Sequence, residues 1–552
     1  MKKFFSVLTV LLVLSTGFAS AGSVPDEQFI RSGPPTDAPS RGMAIDDAET
    51  MGVFSTMQAH VGNGSIMGKS LLESRVNCES IGVKDCEIDS KNLFLYRAAL
   101  DYCEQSTSID CVKSVGAIDK NGEKLAVKFV ENFPKVAANG FTGNAALKLP
   151  DGKTTFIVDI PGAPHAGGTQ YLIVAQLAGH KEVKDSQFIY DNMFASIYAI
   201  NRVSGTFRIG KPSTQKLADG IFGVWAFDGR TIDPNDAVNP LACAQATETE
   251  CLLPVALPKD VTFSMSLQIR TKISGWLHGR ITDLNAKIES LDSTLDLVTI
   301  EGKPAVVPII FTWKEKTKLS AELQKFYLDN PNVLKSGNVF GTSPTGLWAD
   351  YPSMLRGVRF HSDDLQEALL WIKESEDKAP YAPTRWTIKS TNDGIDPKNC
   401  FKTAKGLGGV VSTNSTFYLA GPPVFSSKYQ TLDYTVASAH FLPNGEVFKG
   451  SYNLLIQSNL ARCLYGFNSA PISASVSVIN SDGTTTVAST TLSEKNGYIA
   501  LSAQGFTFSS PTLRVKFTQK KNQVYTITCI KGKTSKKVTA VKPTCPTGYK
   551  KK

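Results

Sequence analysis

The ten cysteines of this chain constrain its folding more than any other feature, because six of them form three pairs with one common spacing. The members of each pair are eight residues apart, in Cys78/Cys86, Cys103/Cys111 and Cys243/Cys251. Eight residues span about 12 Å on a helix and about 26 Å on a strand, whereas bridged Cα atoms lie within about 7 Å of each other. A disulfide within such a pair therefore requires the chain to turn back on itself.

The four other cysteines extend this pattern. Pairing with the nearest neighbour would join them as Cys400/Cys463 and Cys529/Cys545. The short loops would each stabilise the fold by about 2–3 kcal/mol, and the longest loop by about 4 kcal/mol, in the chain-entropy model. An even number of cysteines without a C-x-x-C motif favours disulfides over metal binding. Crosswise pairing within the group from Cys78 to Cys111 is the alternative, because spacing does not fix connectivity.

The N-terminal residues have the three parts of a secretory signal peptide. Lys2 and Lys3 precede an apolar run over 4–18, and Ala19-Ser20-Ala21 offers a small-residue cleavage site. We expect cleavage after Ala21 and an oxidising destination, outside the cell or at its surface. No later apolar run reaches the roughly 18 residues that a membrane-spanning helix needs, so no transmembrane span is expected.

Composition and alternation favour a fold that is mainly β with minor α. Hydrophobic residues make up 42% of the chain and charged residues 20%, which are values of a globular protein. We predict tandem antiparallel β-sandwich-like domains and a mixed N-terminal region. The segments are 1–21 signal peptide, 22–48 linker or disordered arm, 49–150 mixed α+β disulfide region, 151–315 β-rich domain, 316–400 helix-containing connecting region, 401–520 β-sandwich domain and 521–552 basic disulfide-closed C-terminal hairpin.

Several segments carry the strand signal directly. Apolar and polar residues alternate over 261–270, over 472–478 and over 513–517, which predicts strands with one buried face. The run KPAVVPIIFTW at 303–313 predicts a more deeply buried strand whose prolines restrict it to an edge or a bulge. Asp482-Gly483 predicts a hairpin turn.

Helical spacing interrupts the β pattern in three places. The predicted helices are one from Ser90 with Leu93, Tyr96, Ala99 and Leu100 on one face, one with Leu319, Leu323 and Phe326, and one with Leu365, Leu369 and Ile372. For the third helix, Ser362 and Asp363 are the candidate N-caps, with Gln366 further on.

The charge is separated along the chain. The formal charge is +9, yet residues 22–494 hold 44 basic and 50 acidic residues, a net charge of −6, while 495–552 hold thirteen basic residues and no acid. Such a tail attracts polyanions, which outside a cell are anionic wall polymers, acidic polysaccharides or lipid head groups. The predicted polyanion-binding residues are Lys531, Lys533, Lys536, Lys537, Lys550, Lys551 and Lys552. The alternative is a solvated tail that aids solubility; nucleic acid is not an expected partner.

Four segments resemble known sequences: SGWLHGR at 274–280, ARCLYGFNSAPISASVSV at 461–478, GFTFSSPTLRVKFTQ at 505–519, and the ending CIKGK…CPTGYKKK. They are similar to segments of a group of secreted actinobacterial proteins of uncharacterised activity. The resemblance covers the C-terminal half, and the tail is its most specific part. It implies secretion and β-domains, and it transfers no catalytic residue.

No catalytic signature is complete. G-x-S-x-G of serine hydrolases and H-E-x-x-H of zinc peptidases are absent. The segment NGSIMGKS at 63–70 ends like a phosphate-binding loop, but Asn63 replaces its first glycine, so a flexible loop is the better interpretation. His361 with Asp363 and Asp364 suggests an imidazole base beside carboxylates. A helix start, where acids favour the positive end of the dipole, explains these residues better.

A calcium site is a second hypothesis. Hard oxygen ligands lie in one loop-like stretch at Asp228, Asp233, Asn235 and Asp236, followed by Asn239. Such ligands in a β-loop suit Ca²⁺, the one cofactor that the sequence suggests. The alternative is that these residues form turns.

A carbohydrate site is a third hypothesis. The Gly/Pro-rich stretch 341–353 contains Trp348, Asp350 and Tyr351, an apolar platform beside a hydrogen-bonding acid. The alternative is that Trp348 fills a core seam beneath the loop.

Together these features predict a secreted, non-catalytic protein of the cell surface or exterior. It would bind an anionic envelope polymer or carbohydrate and be retained through its basic C-terminal module. Two alternatives remain: a secreted hydrolase of polysaccharide or peptide whose site forms only on folding, and a structural surface-layer component.

Overall fold

The structure of the protein is a computed structural model. The structure describes residues 38–47, 54–61, 75–84, 86–88, 92–106, 108–182, 184–207, 243–270, 275–331, 333, 339–342, 353–358, 360–391, 399–400, 406–467, 472–479, 485–487, 489–495, 497–508, 512–519, 525–540 and 542–552. Strands dominate these residues and helices are few, which confirms the prediction of a mainly β fold with minor α.

The strands are numbered here in chain order. Those of the first part are β1 Ser40–Ile45, β2 Thr56–Val61, β3 Arg75–Asn77, β4 Asn92–Ala99, β5 Cys111–Ile118, β6 Lys128–Phe133, β7 Thr155–Asp159, β8 Gln170–Lys181, β9 Ile189–Ser204, β10 Gln245–Ala246, β11 Glu250–Val255, β12 Thr262–Ile269, β13 Gly275–Ser290, β14 Asp296–Val306 and β15 Ile310–Glu315. Those of the second part are β16 Val339–Thr342, β17 Ser353–Gly357, β18 Thr384–Thr391, β19 Leu407–Thr413, β20 Phe417–Tyr418, β21 Val424–Ser426, β22 Thr431–Ala437, β23 Gly450–Gln457, β24 Ile472–Ile479, β25 Thr485–Val487, β26 Ser489–Lys495, β27 Tyr498–Phe506, β28 Thr512–Gln519, β29 Tyr525–Lys531, β30 Thr534–Ala540 and β31 Lys550–Lys551.

Three α-helices occur in the described residues: α1 Ala321–Asp329, α2 Ser362–Glu374 and α3 Ser458–Tyr465. The predictions of α1 and α2 are confirmed, and Ser320 caps α1 by accepting a hydrogen bond from the Leu323 N–H. The predicted caps of α2 are wrong, because His361 is the N-cap and its side chain forms no capping hydrogen bond.

The helix predicted from Ser90 is also wrong. This segment contains strand β4, which pairs with β2 on one side and β8 on the other. Residues of both faces of the strand are buried, including Phe94, Tyr96 and Ala98 on one and Leu93 and Ala99 on the other. A strand with buried residues on both faces need not show alternating apolar and polar residues. The apolar residues of this segment therefore matched the spacing that a helix would also show.

One hydrogen-bonded system of 18 strands runs through most of the chain, and β13 pairs with three of its strands. The first half of β13 pairs antiparallel with β18 and parallel with β19, and its second half pairs with β14. The change of partner occurs between Arg280 and Ile281, and a register shift follows within the pairing with β14, between Thr282 and Asn285, where Asp283 has a φ of 52°. This bend lets β13 join strands from the two parts of the chain.

A second sheet covers part of this system. Six strands, β20, β21, β22, β24, β25 and β28, form it. Val476, Leu513 and Val515 of this sheet share one core with Ile456 and Leu501 of the 18-stranded system. This packing is a sandwich-like arrangement of two sheets. The predicted turn at Asp482-Gly483 lies outside the described residues.

The strand predictions are confirmed with one correction. Along 261–270 the alternate residues from Val261 to Ile269 are all buried. The run at 303–313, predicted as one strand, contains the end of β14 and the start of β15. Pro308 lies in the break between them, since proline lacks the N–H that a continued ladder requires.

All five predicted disulfides form between nearest neighbours: Cys78–Cys86, Cys103–Cys111, Cys243–Cys251, Cys400–Cys463 and Cys529–Cys545. Their Cα–Cα distances lie between 5.1 and 5.9 Å. Among the helices that the described residues form, none has the length and hydropathy of a membrane-crossing segment.

Candidate functional site

The predicted site residues fall into two groups. The aromatic loop with Trp348, Asp350 and Tyr351 lies outside the described residues, and so does the predicted calcium stretch with Asp228, Asp233, Asn235, Asp236 and Asn239. The predicted polyanion-binding lysines at the C-terminus are all described. Their arrangement is therefore the candidate site that the structure resolves.

These lysines lie on a small sheet of order β30-β29-β31, which we name the lysine sheet and define as residues 525–552. β29 and β30 form a hairpin in which Thr528 faces Lys537 and Cys529 faces Lys536. On the other side of β29, Cys529 faces Lys551. The sheet thus places residues that are far apart in sequence in one row across three strands.

Both faces of the lysine sheet carry positive charge. Residues directly opposite each other on paired strands point to the same face, so Lys536 and Lys551 share the face of Cys529. They are separated by two strand spacings, about 10 Å. Lys550, opposite Ile530, and Lys537, opposite Thr528, lie on the other face.

A disulfide and backbone contacts hold this sheet together. Cys529 is fully buried and is joined to Cys545, with a Cα–Cα distance of 5.6 Å. The Thr526 and Thr539 hydroxyls lie 2.8 Å apart, and the Lys552 N–H donates to the Thr528 carbonyl oxygen at 2.8 Å. The last residue is therefore fixed to the sheet by its backbone.

The charge of the lysine sheet is not neutralised locally. Its eight lysines, Lys531, Lys533, Lys536, Lys537, Lys542, Lys550, Lys551 and Lys552, are all exposed. No acidic residue follows Glu494 in the sequence. Within the described part of the chain, none of these lysines forms an ion pair with a carboxylate side chain. The lysine sheet is therefore a rigid, exposed cationic surface.

A second cluster of charges, which the sequence did not indicate, lies inside the protein. We name Asp47, His278, Arg280, Lys389 and Tyr418 the interior cluster. Arg280 donates from Nε to Asp47 Oδ2 at 2.9 Å, and both side chains are at most 3% exposed. Lys389 Nζ lies 3.7 Å from the same carboxylate oxygen. The Arg280 guanidinium carbon lies 4.7 Å from the centre of the Tyr418 ring.

The ionisation of Asp47 follows from these neighbours. Burial raises the pKa of Asp47, but the attraction of Arg280, Lys389, His278 and Arg385 outweighs burial, so its pKa lies well below the ordinary value. Asp47 is therefore ionised across the physiological range and pairs with Arg280 as a buried ion pair.

His278 lies beside this pair as a neutral ring. It stacks on Tyr418 with ring centres 3.4 Å apart, and neither ring nitrogen has a hydrogen-bond partner among the described residues. Burial lowers the pKa of His278 well below its usual value, the positive charges of Arg280 and Lys389 lower it further, and Asp47 opposes them. At 1% exposure the ring does not meet solvent.

A third group of charges explains the residues around His361. Asp364 and Glu367 of α2 accept from Arg356 of β17 at 2.8 and 2.6 Å. The second oxygen of Glu367 accepts from the Tyr327 hydroxyl of α1 at 2.8 Å. Burial raises the pKa of Glu367 despite these partners. Both oxygens of this acid are occupied, and His361 is exposed, so the group joins α1, α2 and β17 instead of forming a base–acid pair.

The other described histidine rings are also engaged locally. His165 Nε2 lies 2.9 Å from the Gln170 carbonyl oxygen, His180 Nδ1 lies 2.8 Å from the Asp191 carboxylate, and His440 Nδ1 lies 3.0 Å from the Phe508 carbonyl oxygen. Over the described ranges, no three His, Cys, Asp or Glu residues are grouped so as to hold a metal ion.

Comparisons with known proteins give no further assignment. No family model, no curated protein and no solved structure matches the chain.

Proposed function

We propose that this protein acts outside the cytosol and binds anionic polymers of the cell envelope through its lysine sheet. The observation that carries the proposal is the set of eight exposed lysines on a disulfide-closed sheet, none of which forms an ion pair with a described carboxylate side chain. The five disulfides support an oxidising compartment, since such bonds persist there and are rare in the cytosol.

The geometry supports an extended ligand. Each lysine near an anionic surface contributes about 1 kcal/mol, so several acting together give firm binding although each one is weak. Lysines on both faces suit a flexible polymer that contacts the sheet from more than one side. Because exposed charges are screened by salt, this binding weakens as ionic strength rises.

The rest of the protein would then be held at the envelope by this module. Residues 22–494 carry a net charge of −6, so their overall charge adds no attraction to an anionic polymer. The proposal assigns no catalytic step to the protein.

Cell fractionation tests the proposal. We expect the full chain to partition with the envelope at low salt, and a chain ending before residue 520 to appear in the medium. High salt is expected to release the full chain in the same way. Envelope association that depends neither on salt nor on residues 520–552 would contradict the proposal.

A further inference from the structure

A polar cleft lies on the body of the protein, within the described residues and separate in sequence from the lysine sheet. It has a volume of about 530 Å³, within the range of ligand pockets, roughly 300–1,000 Å³. Lys148, the segment 185–190, Arg270 after β12, and the turn between β13 and β14 with Ser293 and Thr294 line it. The cleft therefore gathers four separate parts of the chain.

Contacts beneath the cleft fix its walls. The Phe188 N–H donates to the Leu147 carbonyl oxygen at 2.9 Å, and Gln187 Nε2 donates to the Ala146 carbonyl oxygen at 3.1 Å. The Phe188 ring is buried and its centre lies 5.6 Å from that of Tyr96. The cleft is thus formed before any ligand arrives, which limits the entropy lost on binding.

Apolar and polar groups both face a ligand there. Ile189 is 43% exposed, and the adjacent Tyr190 ring is held by a 2.7 Å hydrogen bond between its hydroxyl and Ser390 Oγ. Ser186, Gln187 and Ser293 add hydroxyl and amide groups to the lining. A sugar ring, with an apolar face and hydroxyls at its edge, matches this combination.

Of the two cations in the lining, Lys148 provides the preference for negative charge. Arg270 is already paired, because it donates from Nε and Nη2 to Asp110 Oδ2 at 3.2 and 2.9 Å, and its Nη1 is buried without a hydrogen-bond partner among the described residues. Lys148 is exposed and makes no ion pair within the described ranges. The acid in the lining is Asp185, and its Oδ2 accepts from the Glu182 N–H at 3.0 Å.

We propose that this cleft binds a short saccharide bearing a carboxylate, such as a uronic-acid disaccharide. Lys148 contacts the carboxylate, the exposed Ile189 side chain supports one sugar face, and the rim hydroxyls bond to the sugar hydroxyls. The proposal rests on the cleft alone and does not require the lysine sheet to bind polymer.

Calorimetric titration of the full chain with digalacturonate, and with maltose as the neutral probe, tests this site. Ser293→Trp, which fills the cleft from an exposed turn, is expected to weaken digalacturonate binding by at least about tenfold. Ser427→Trp places the same side chain on an exposed turn elsewhere and is expected to change nothing. Lys148→Gln is expected to weaken digalacturonate about three- to tenfold without affecting maltose.

The same titration in a chain with Lys536, Lys537, Lys550 and Lys551 all changed to Gln separates the two proposals. Unchanged digalacturonate binding in this lysine variant excludes the lysine sheet as the saccharide site, whether or not polymer binding is lost. Together with weaker binding in Ser293→Trp, it supports the site in the cleft. Binding that disappears with these lysines, or that survives Ser293→Trp, would overturn the inference. Equal affinity for maltose and digalacturonate would overturn the carboxylate preference, and the absence of binding would overturn the site.

Discussion

At the scale of single residues, the interior cluster is notable for its buried ion pair between Asp47 and Arg280. The sequence did not indicate it, because the segment SGWLHGR shows only that His278 and Arg280 lie two residues apart. Their partner Asp47 follows β1, more than two hundred residues earlier in the chain, and sequence pattern cannot report such a contact. The ion pair could therefore not be predicted from the sequence.

Removing the charge of Asp47 tests the importance of this pair. Asp47→Asn leaves Arg280 buried without its counter-charge, and breaking a buried pair in this way destabilises a protein by about 3–5 kcal/mol. We expect a loss of that size in the free energy of unfolding, measured by urea titration. Asp433→Asn, which breaks a more exposed pair with Arg514, is the matched control and is expected to lose less than about 1 kcal/mol. Equal losses in both variants would contradict the account.

His278 gives a prediction on pH. Its pKa is lowered in the folded protein, so below about pH 6.5 the unfolded chain binds a proton that the folded chain does not. The contribution of His278 to the free energy of unfolding is therefore fully present above about pH 6.5 and is lost as the pH falls below it. Relative to His278→Phe, the wild type should lose stability at up to about 1.4 kcal/mol per pH unit as the pH falls below about 6.5. Parallel stability curves for the two proteins would contradict a neutral, buried His278.

At the scale of elements, prediction of helices and strands from the sequence was correct where only one face of the element is buried. β12 and the helices α1 and α2 have such faces, and their periodicity predicted them. β4 has buried residues on both faces, so the spacing of its apolar residues led to the wrong prediction of a helix. The nearest-neighbour disulfides were predictable because each short pair only needs a local turn, which the polar residues between the cysteines allow.

The disulfide of the lysine sheet gives a prediction at this scale. A segment as small as 525–552 cannot bury enough apolar surface to be stable alone, so Cys529–Cys545 should contribute about 3 kcal/mol to its local stability. In a Cys529→Ser/Cys545→Ser variant we expect rapid trypsin cleavage at the exposed lysines of β30. The body is expected to keep its wild-type thermal transition. A lysine sheet that resists trypsin as well as the wild type does would contradict this role.

At the scale of the whole molecule, the charge separation was visible in the sequence, whereas the sheet order was not. The parallel pairing of β13 with β19 joins strands more than one hundred residues apart, and no local signal encodes it. The predicted domain boundaries stay predictions, because the 18-stranded system contains strands from several of the predicted segments. The cationic surface could be predicted because it depends on composition within one short stretch.

The affinity of the full chain for polyphosphate, an anionic polymer without the sugar that the cleft is proposed to bind, tests the central claim most directly when it is measured from about 0.05 to 0.5 M salt. We predict tight, salt-sensitive binding that falls on the order of 1,000-fold when Lys536, Lys537, Lys550 and Lys551 are changed to Gln, at about 1 kcal/mol per lysine. The matched variant changes Lys113, Lys124, Lys259 and Lys449, four exposed lysines of the body, to Gln and should bind like the wild type. Equal losses in the two variants, or an affinity that does not change with salt, would contradict the claim that the lysine sheet holds the polymer.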